Sequence, residues 1–143
     1  MWTAETVLVC ALTLLGRTAD SFPPVTFVNA PPVGVSSHAE AFVRTGERRI
    51  YVITSSRMFQ QAQNADFRCG ELQALRKLAS VLVHEEWHVT HGTDEAGAYA
   101  AQLITLAYLG SGPGSPTYYA VSQSKSVVLR GQKGRRTASD FEH

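Results

Sequence analysis

The chain is poor in cysteine, in excess charge and in long apolar runs, and each shortage narrows what it can be. Its two cysteines in 143 residues, Cys10 and Cys69, match no CxxC or zinc-ribbon spacing. They are expected to be free thiols in a reducing compartment, with a single disulfide as the alternative. A formal net charge of +1 implies no global attraction to nucleic acid or to a membrane surface. The apolar stretch from Val7 to Leu15 is far short of the about 20 residues that a transmembrane helix needs. As an export signal it also lacks basic residues before it, carries Glu5 where positive charge belongs, and precedes no A-x-A-like cleavage site. Val7, Leu8, Ala11, Leu14 and Leu15 instead recur as the stripe of an amphipathic helix ending near Gly16. A cytoplasmic location is therefore expected, with export by an atypical N-terminal signal as the alternative. No internal repeat is present, and the length suits one domain.

What the chain does have is the run His84-Glu85-Glu86-Trp87-His88, an HExxH pattern. On a helical wheel, with His84 at the origin, His88 falls at roughly 40° and Glu85 at roughly 100°, so all three share about a third of the circumference. Both imidazoles can meet one metal ion, and the neighbouring carboxylate can take a proton from a water held there. Catalytic zinc usually takes three protein ligands and keeps a position for water, whose pKa falls to around 7.

A third ligand is then required, and Asp94 and Glu95 offer two adjacent carboxylates. An unbroken helix would carry Glu95 roughly 16 Å from His84, beyond coordination distance. Gly92 as C-cap and Thr93 as N-cap supply the necessary reversal, and the acids would open the second helix. Glu95 is the favoured ligand and Asp94 the alternative. The same residues also have an ordinary reading, as charges favoured by a helix N-terminus and polar side chains on a solvated face.

The stretch from Leu78 to Ile104 resembles the active-site helix pair of small zincin metallopeptidases of the gluzincin type, most nearly the ImmA/IrrE-like family. There an HExxH helix is followed by one reading approximately Glu-Ala-Asn-x-Phe-Ala-Ala, and Glu95-Ala96-Gly97-Ala98-Tyr99-Ala100-Ala101 is similar. Gly97 stands where asparagine is typical and Trp87 where a small residue is common. The resemblance implies His84, His88 and Glu95 as zinc ligands, Glu85 as general base, and a peptide or protein as substrate. Asp94, six positions past His88, occupies the third-ligand position of the metzincins.

Around this centre the pattern predicts an α+β, minimal zincin-like domain over residues 1–130, with a small antiparallel or mixed sheet. Val25 to Val28 is a short strand, and Ala39 to Arg44 with Arg49 to Thr54 form a hairpin around Thr45-Gly46-Glu47. By analogy with zincins, the strand Ile50 to Ile53 would be an edge along which an extended substrate pairs; the plain alternative is a buried strand. Ser56 to Gln63 is a short helix, and a longer one runs from about Gly70 to His91 with Leu72, Leu75, Leu78, Ala79, Leu82 and Val83 on its apolar face. The next, Thr93 to about Leu109, places Ala96, Tyr99, Ala100, Leu103, Leu106 and Ala107 on one face. A last helix spans Thr117 to about Arg130, and residues 131–143 are expected to be a disordered tail. The basic cluster Lys125, Arg130, Lys133, Arg135 and Arg136 reads as solvated rather than as a nucleic-acid contact. His91, Tyr99, Tyr118 and Tyr119 are candidates to stabilise an oxyanion. The activity expected is zinc-dependent peptide hydrolysis; a non-catalytic metal-binding regulatory module and a helical domain without metal are the alternatives.

Overall fold

In the computed structural model, the residues described are 2–65, 69, 73–132 and 141–142. Thr3 opens the first helix, α1 (Ala4–Leu14), its hydroxyl accepting the Thr6 N–H at 3.1 Å. Val7, Cys10, Ala11 and Leu12 are buried on one side of α1. Gly16, at φ +67°, then turns the chain out of the helix in the left-handed conformation. The apolar stretch at the N-terminus is thus a packed helix, and no helix of the described residues is long and apolar enough to cross a membrane.

Three strands follow: β1 (Val25–Val28), β2 (Ala41–Arg44) and β3 (Ile50–Ile53). β2 and β3 form the expected hairpin, antiparallel with Val43 opposite Ile50, and Gly46 takes φ +86° in its loop. β1 lies parallel to β3, with Val25 opposite Ile50, so the sheet is mixed. A two-residue strand, β4 (Phe141–Glu142), pairs antiparallel with the other edge of β2, and the order is β1-β3-β2-β4.

This order corrects the reading of Ile50 to Ile53 as an edge strand, because β3 lies between β1 and β2 and every one of its residues is buried. Its alternate side chains serve two faces: Ile50 and Val52 join the main core, while Tyr51 and Ile53 pack with Phe42 on the other side. The uniformly apolar strand is what a sheet covered on both faces requires.

Ser56 caps α2 (Arg57–Gln63) through the Phe59 N–H. The three remaining helices are α3 (Gln73–His91), α4 (Glu95–Tyr108) and α5 (Pro116–Gln132). The described residues therefore form an α+β fold of five α-helices and a small mixed sheet. Leu75, Leu78, Ala79 and Leu82 of α3 sit in the main core with α1, α2 and the sheet, as their spacing predicts; Leu72 lies outside the described residues and Val83 is only half-buried. Of the stretch expected to be disordered, Gly131 and Gln132 continue α5 and residues 141–142 form β4, while 133–140 and 143 lie outside the described residues.

The cysteines overturn the expectation of free thiols. Cys10 of α1 is joined to Cys69, with Cα atoms 5.2 Å apart, closing a loop of 59 residues ahead of α3. Such bonds persist mainly in oxidising compartments, so the thiols no longer argue for a reducing one. A bond across a loop of this size typically contributes about 2–4 kcal/mol. Urea unfolding of a Cys10→Ala/Cys69→Ala variant is expected to show a loss in that range; an unchanged midpoint would mean the bond holds nothing that packing does not.

Candidate metal centre

The chain reverses between α3 and α4 within three residues. Gly92 adopts φ +72°, which L side chains rarely adopt, and its N–H donates to the His88 carbonyl at 2.9 Å to close α3. The N-cap of α4 is Asp94 rather than the predicted Thr93: Asp94 Oδ1 accepts the Gly97 N–H at 3.0 Å, and Oδ2 accepts the Trp87 indole N–H at 3.2 Å. These contacts, led by the Gly97 N–H, hold the exposed Asp94 carboxyl below its ordinary pKa. Both oxygens are committed on the outside of the turn, and Glu95, one residue on, points inward and is buried.

Gly97 is the residue this clasp requires. A Cβ there would lie 2.2 Å from Asp94 Oδ2 and 2.5 Å from Trp87 Nε1, so the large Trp87 and the missing side chain at 97 are two halves of one contact. Glu86, the other acid of the run, turns away to pair with Arg17 at 2.7 Å.

Inside the turn, His84, His88 and Glu95 converge, their ligand atoms all within 4.8 Å of one another and all three residues buried. The two Nε2 atoms are 3.3 Å apart. Glu95 Oε1 lies 3.3 Å from His84 Nε2 and in contact with His88 Nε2. The three could hold one metal ion.

The far side of each ring decides which nitrogen carries hydrogen. His88 Nδ1 lies 2.7 Å from the Gly92 carbonyl, which can only accept, so Nδ1 is a donor there and Nε2 is the nitrogen turned to the cluster. For His84 the same follows through two steps. The Ser80 hydroxyl donates to the Lys77 carbonyl at 2.6 Å, so Ser80 Oγ accepts from Gln102 Nε2 at 3.3 Å. Gln102 then presents Oε1 to His84 Nδ1 at 2.9 Å, and that nitrogen must donate. Both Nε2 atoms and a carboxylate oxygen therefore face one point.

Such a cluster is satisfied only by a cation. A proton is one solution: burial pulls the His88 imidazolium down, but Glu95 above all, with Glu85 and the Gly92 carbonyl, raises it to about 9. Burial likewise pushes Glu95 up, yet the two imidazoles outweigh it and hold the carboxyl at about 2. A divalent metal in place of that proton would bind both lone pairs and the carboxylate at once. Gln102→Leu removes the acceptor that orients His84 and is expected to weaken zinc binding by about 10–100-fold. Gln102→Glu, which keeps an acceptor, should restore most of it, as competition with a chromogenic chelator would measure.

Glu85 is buried next to the cluster and, with His84 and Tyr99, lines a cavity of about 420 Å³. His88 lines a second, of about 270 Å³, under the β2–β3 loop. The Tyr99 ring stands edge-on to His84 with centroids 4.6 Å apart. Burial, with Glu95 and Glu85, pushes its phenol far above the ordinary value, so it remains a neutral O–H. The other oxyanion candidates are not brought to the centre. His91 is exposed and stacked on Trp87, Tyr119 is 66% exposed, and Tyr118 packs with Val121 and Leu106. Lys125 and Arg130 lie along α5, and the remaining basic residues of the cluster are outside the described residues.

Gln102 and Ser80 are the site residues that apolar periodicity misses. The buried face of α4 is Glu95, Ala98, Tyr99, Gln102 and Leu106, whereas Ala96, Ala100 and Ala107, predicted to face inward, are exposed. The available signal was the seven-residue step from Glu95 to Gln102, two turns along one helix face. No protein-family model, no curated protein and no solved structure matches this chain.

Proposed function

We propose that the chain is a zinc-dependent peptide hydrolase of the zincin type, with His84, His88 and Glu95 holding the metal and Glu85 acting as general base. The observation that carries the reading is the buried convergence of the Glu95 carboxylate with the Nε2 atoms of His84 and His88, three groups of a metal-ligand set gathered around one point. Two nitrogens and one carboxylate are a ligand set that zinc takes in catalytic sites, where the ion polarises a carbonyl and brings the pKa of water to about 7. Glu85 stands beside the ligands at the wall of a cavity, where its carboxylate can accept a proton from water and return it to the departing amine. The Gln102 and Gly92 acceptors keep both rings aimed, and α3, anchored in the core, keeps the ligands from shifting. The kinship proposed is with the ImmA/IrrE-like peptidases.

The test is chelation and rescue against a mixed peptide library. Cleavage is expected to vanish on stripping the metal and to return with one equivalent of zinc. Zinc bound one to one with no cleavage in either state would instead support a non-catalytic metal-binding module.

A further inference from the structure

The cavity of about 420 Å³ beside His84 and Glu85 falls within the size range of ligand pockets, roughly 300–1,000 Å³. One part of its wall is apolar, with Ala41 from β2, Val81 from α3, and Val121, Val127 and Val128 from α5 beside the Tyr99 ring, while Ser36, Gln123 and Ser124 supply exposed polar groups elsewhere on the lining. Val121 is buried at the α4–α5 contact, whereas Val127 remains 59% exposed, an apolar side chain that an occupant would cover.

Two charged residues besides Glu85 also line the cavity, and they neutralise each other. Lys77 Nζ lies 2.9 Å from Glu40 Oε2. With Lys77 absent, Glu40 would place a carboxylate in an apolar pocket and attract a basic side chain. With the pair intact, the Glu40 carboxylate is already compensated, so a basic side chain placed beside it would lose hydration and meet the Lys77 ammonium. His38, also on the lining, is exposed.

The geometry points to this cavity as a specificity subsite that takes an aliphatic or aromatic side chain of a peptide substrate, with the Lys77–Glu40 pair excluding basic ones. The inference rests on the peptide-hydrolase reading, since it is the position of Glu85 and His84 on the wall that brings the occupant next to the metal centre. Burial of a leucine or phenylalanine side chain stabilises a complex by about 1.5–3 kcal/mol, roughly 10–150-fold in affinity.

The experiment measures binding, so that it does not depend on turnover. Zinc-loaded Glu85→Gln protein is titrated at pH 7.5 with blocked hexapeptides of glycine and alanine carrying one Leu, Phe, Gln or Arg at each position in turn. At one position, Leu and Phe are expected to bind at least about tenfold tighter than Gln or Arg. Adding Lys77→Met should raise the affinity for the Arg peptide at least about tenfold and leave that for Leu within about threefold. Ala120→Trp, at an exposed lining position of α5, should weaken Leu and Phe binding by narrowing the cavity without touching the core. No position with an apolar preference, or an Arg affinity indifferent to Lys77→Met, would overturn the subsite. If the preference is found while wild-type protein cleaves none of the peptides, the subsite stands and the hydrolase reading falls. If wild-type protein cleaves without regard to these side chains, the hydrolase reading stands and the subsite falls.

Discussion

Glu85→Gln is expected to keep a full equivalent of zinc and to lower peptide hydrolysis by about 10²–10⁴-fold, the usual contribution of a positioned general base. The side chain is 2% exposed and is not one of the three whose ligand atoms converge. An amide of the same shape therefore fits the site without disturbing the ligands, but it cannot accept a proton from water. Measured together, zinc content and kcat separate the roles. Loss of metal would make Glu85 part of the binding set, and activity within twofold of wild type would require another base.

The second large effect distinguishes the adjacent acids. Glu95→Ala is expected to weaken zinc binding by about 70–900-fold, since a four-ligand zinc site worth about 10–16 kcal/mol averages about 2.5–4 kcal/mol per ligand. Asp94→Ala removes a helix cap, which costs about 0.5–2 kcal/mol of stability, and the Trp87 contact, but no ligand atom. Its zinc affinity should fall by about tenfold or less. The difference follows from the turn: Asp94 spends both oxygens on Gly97 and Trp87, whereas Glu95 Oε1 points at the two imidazoles. A larger loss at Asp94 would mean that the turn rearranges when metal binds.

The parts of this arrangement that local patterns encode were legible from the residues. His84 and His88 share a face because four residues are close to one turn, and the reversal falls at Gly92 because only glycine takes its φ without strain. The Gly46 hairpin belongs to the same class. What was not legible depends on distant partners. β3 became central only because β1, some 25 residues earlier in register, pairs beside it, and an apolar four-residue run reads alike at an edge and in the middle of a sheet. The Cys10–Cys69 bond spans 59 residues with no spacing motif to announce it. The buried face of α4 differs from the apolar pattern because that pattern gives weight to alanines that are exposed and none to Gln102, whose burial is sustained by hydrogen bonds to His84 and Ser80. Only the cap differs from expectation, Asp94 instead of Thr93, and Glu95, the favoured ligand, opens α4 and is buried.

His84, His88 and Glu95 are placed to hold one metal ion. Calorimetric titration of zinc into the chelator-stripped full chain at pH 7 tests it most directly. One saturable site per chain is expected, with submicromolar affinity, release of the proton that His88 otherwise holds, and loss of that site in a His84→Ala/His88→Ala variant. Binding below about 0.2 equivalents, or binding that survives the double substitution, would contradict it.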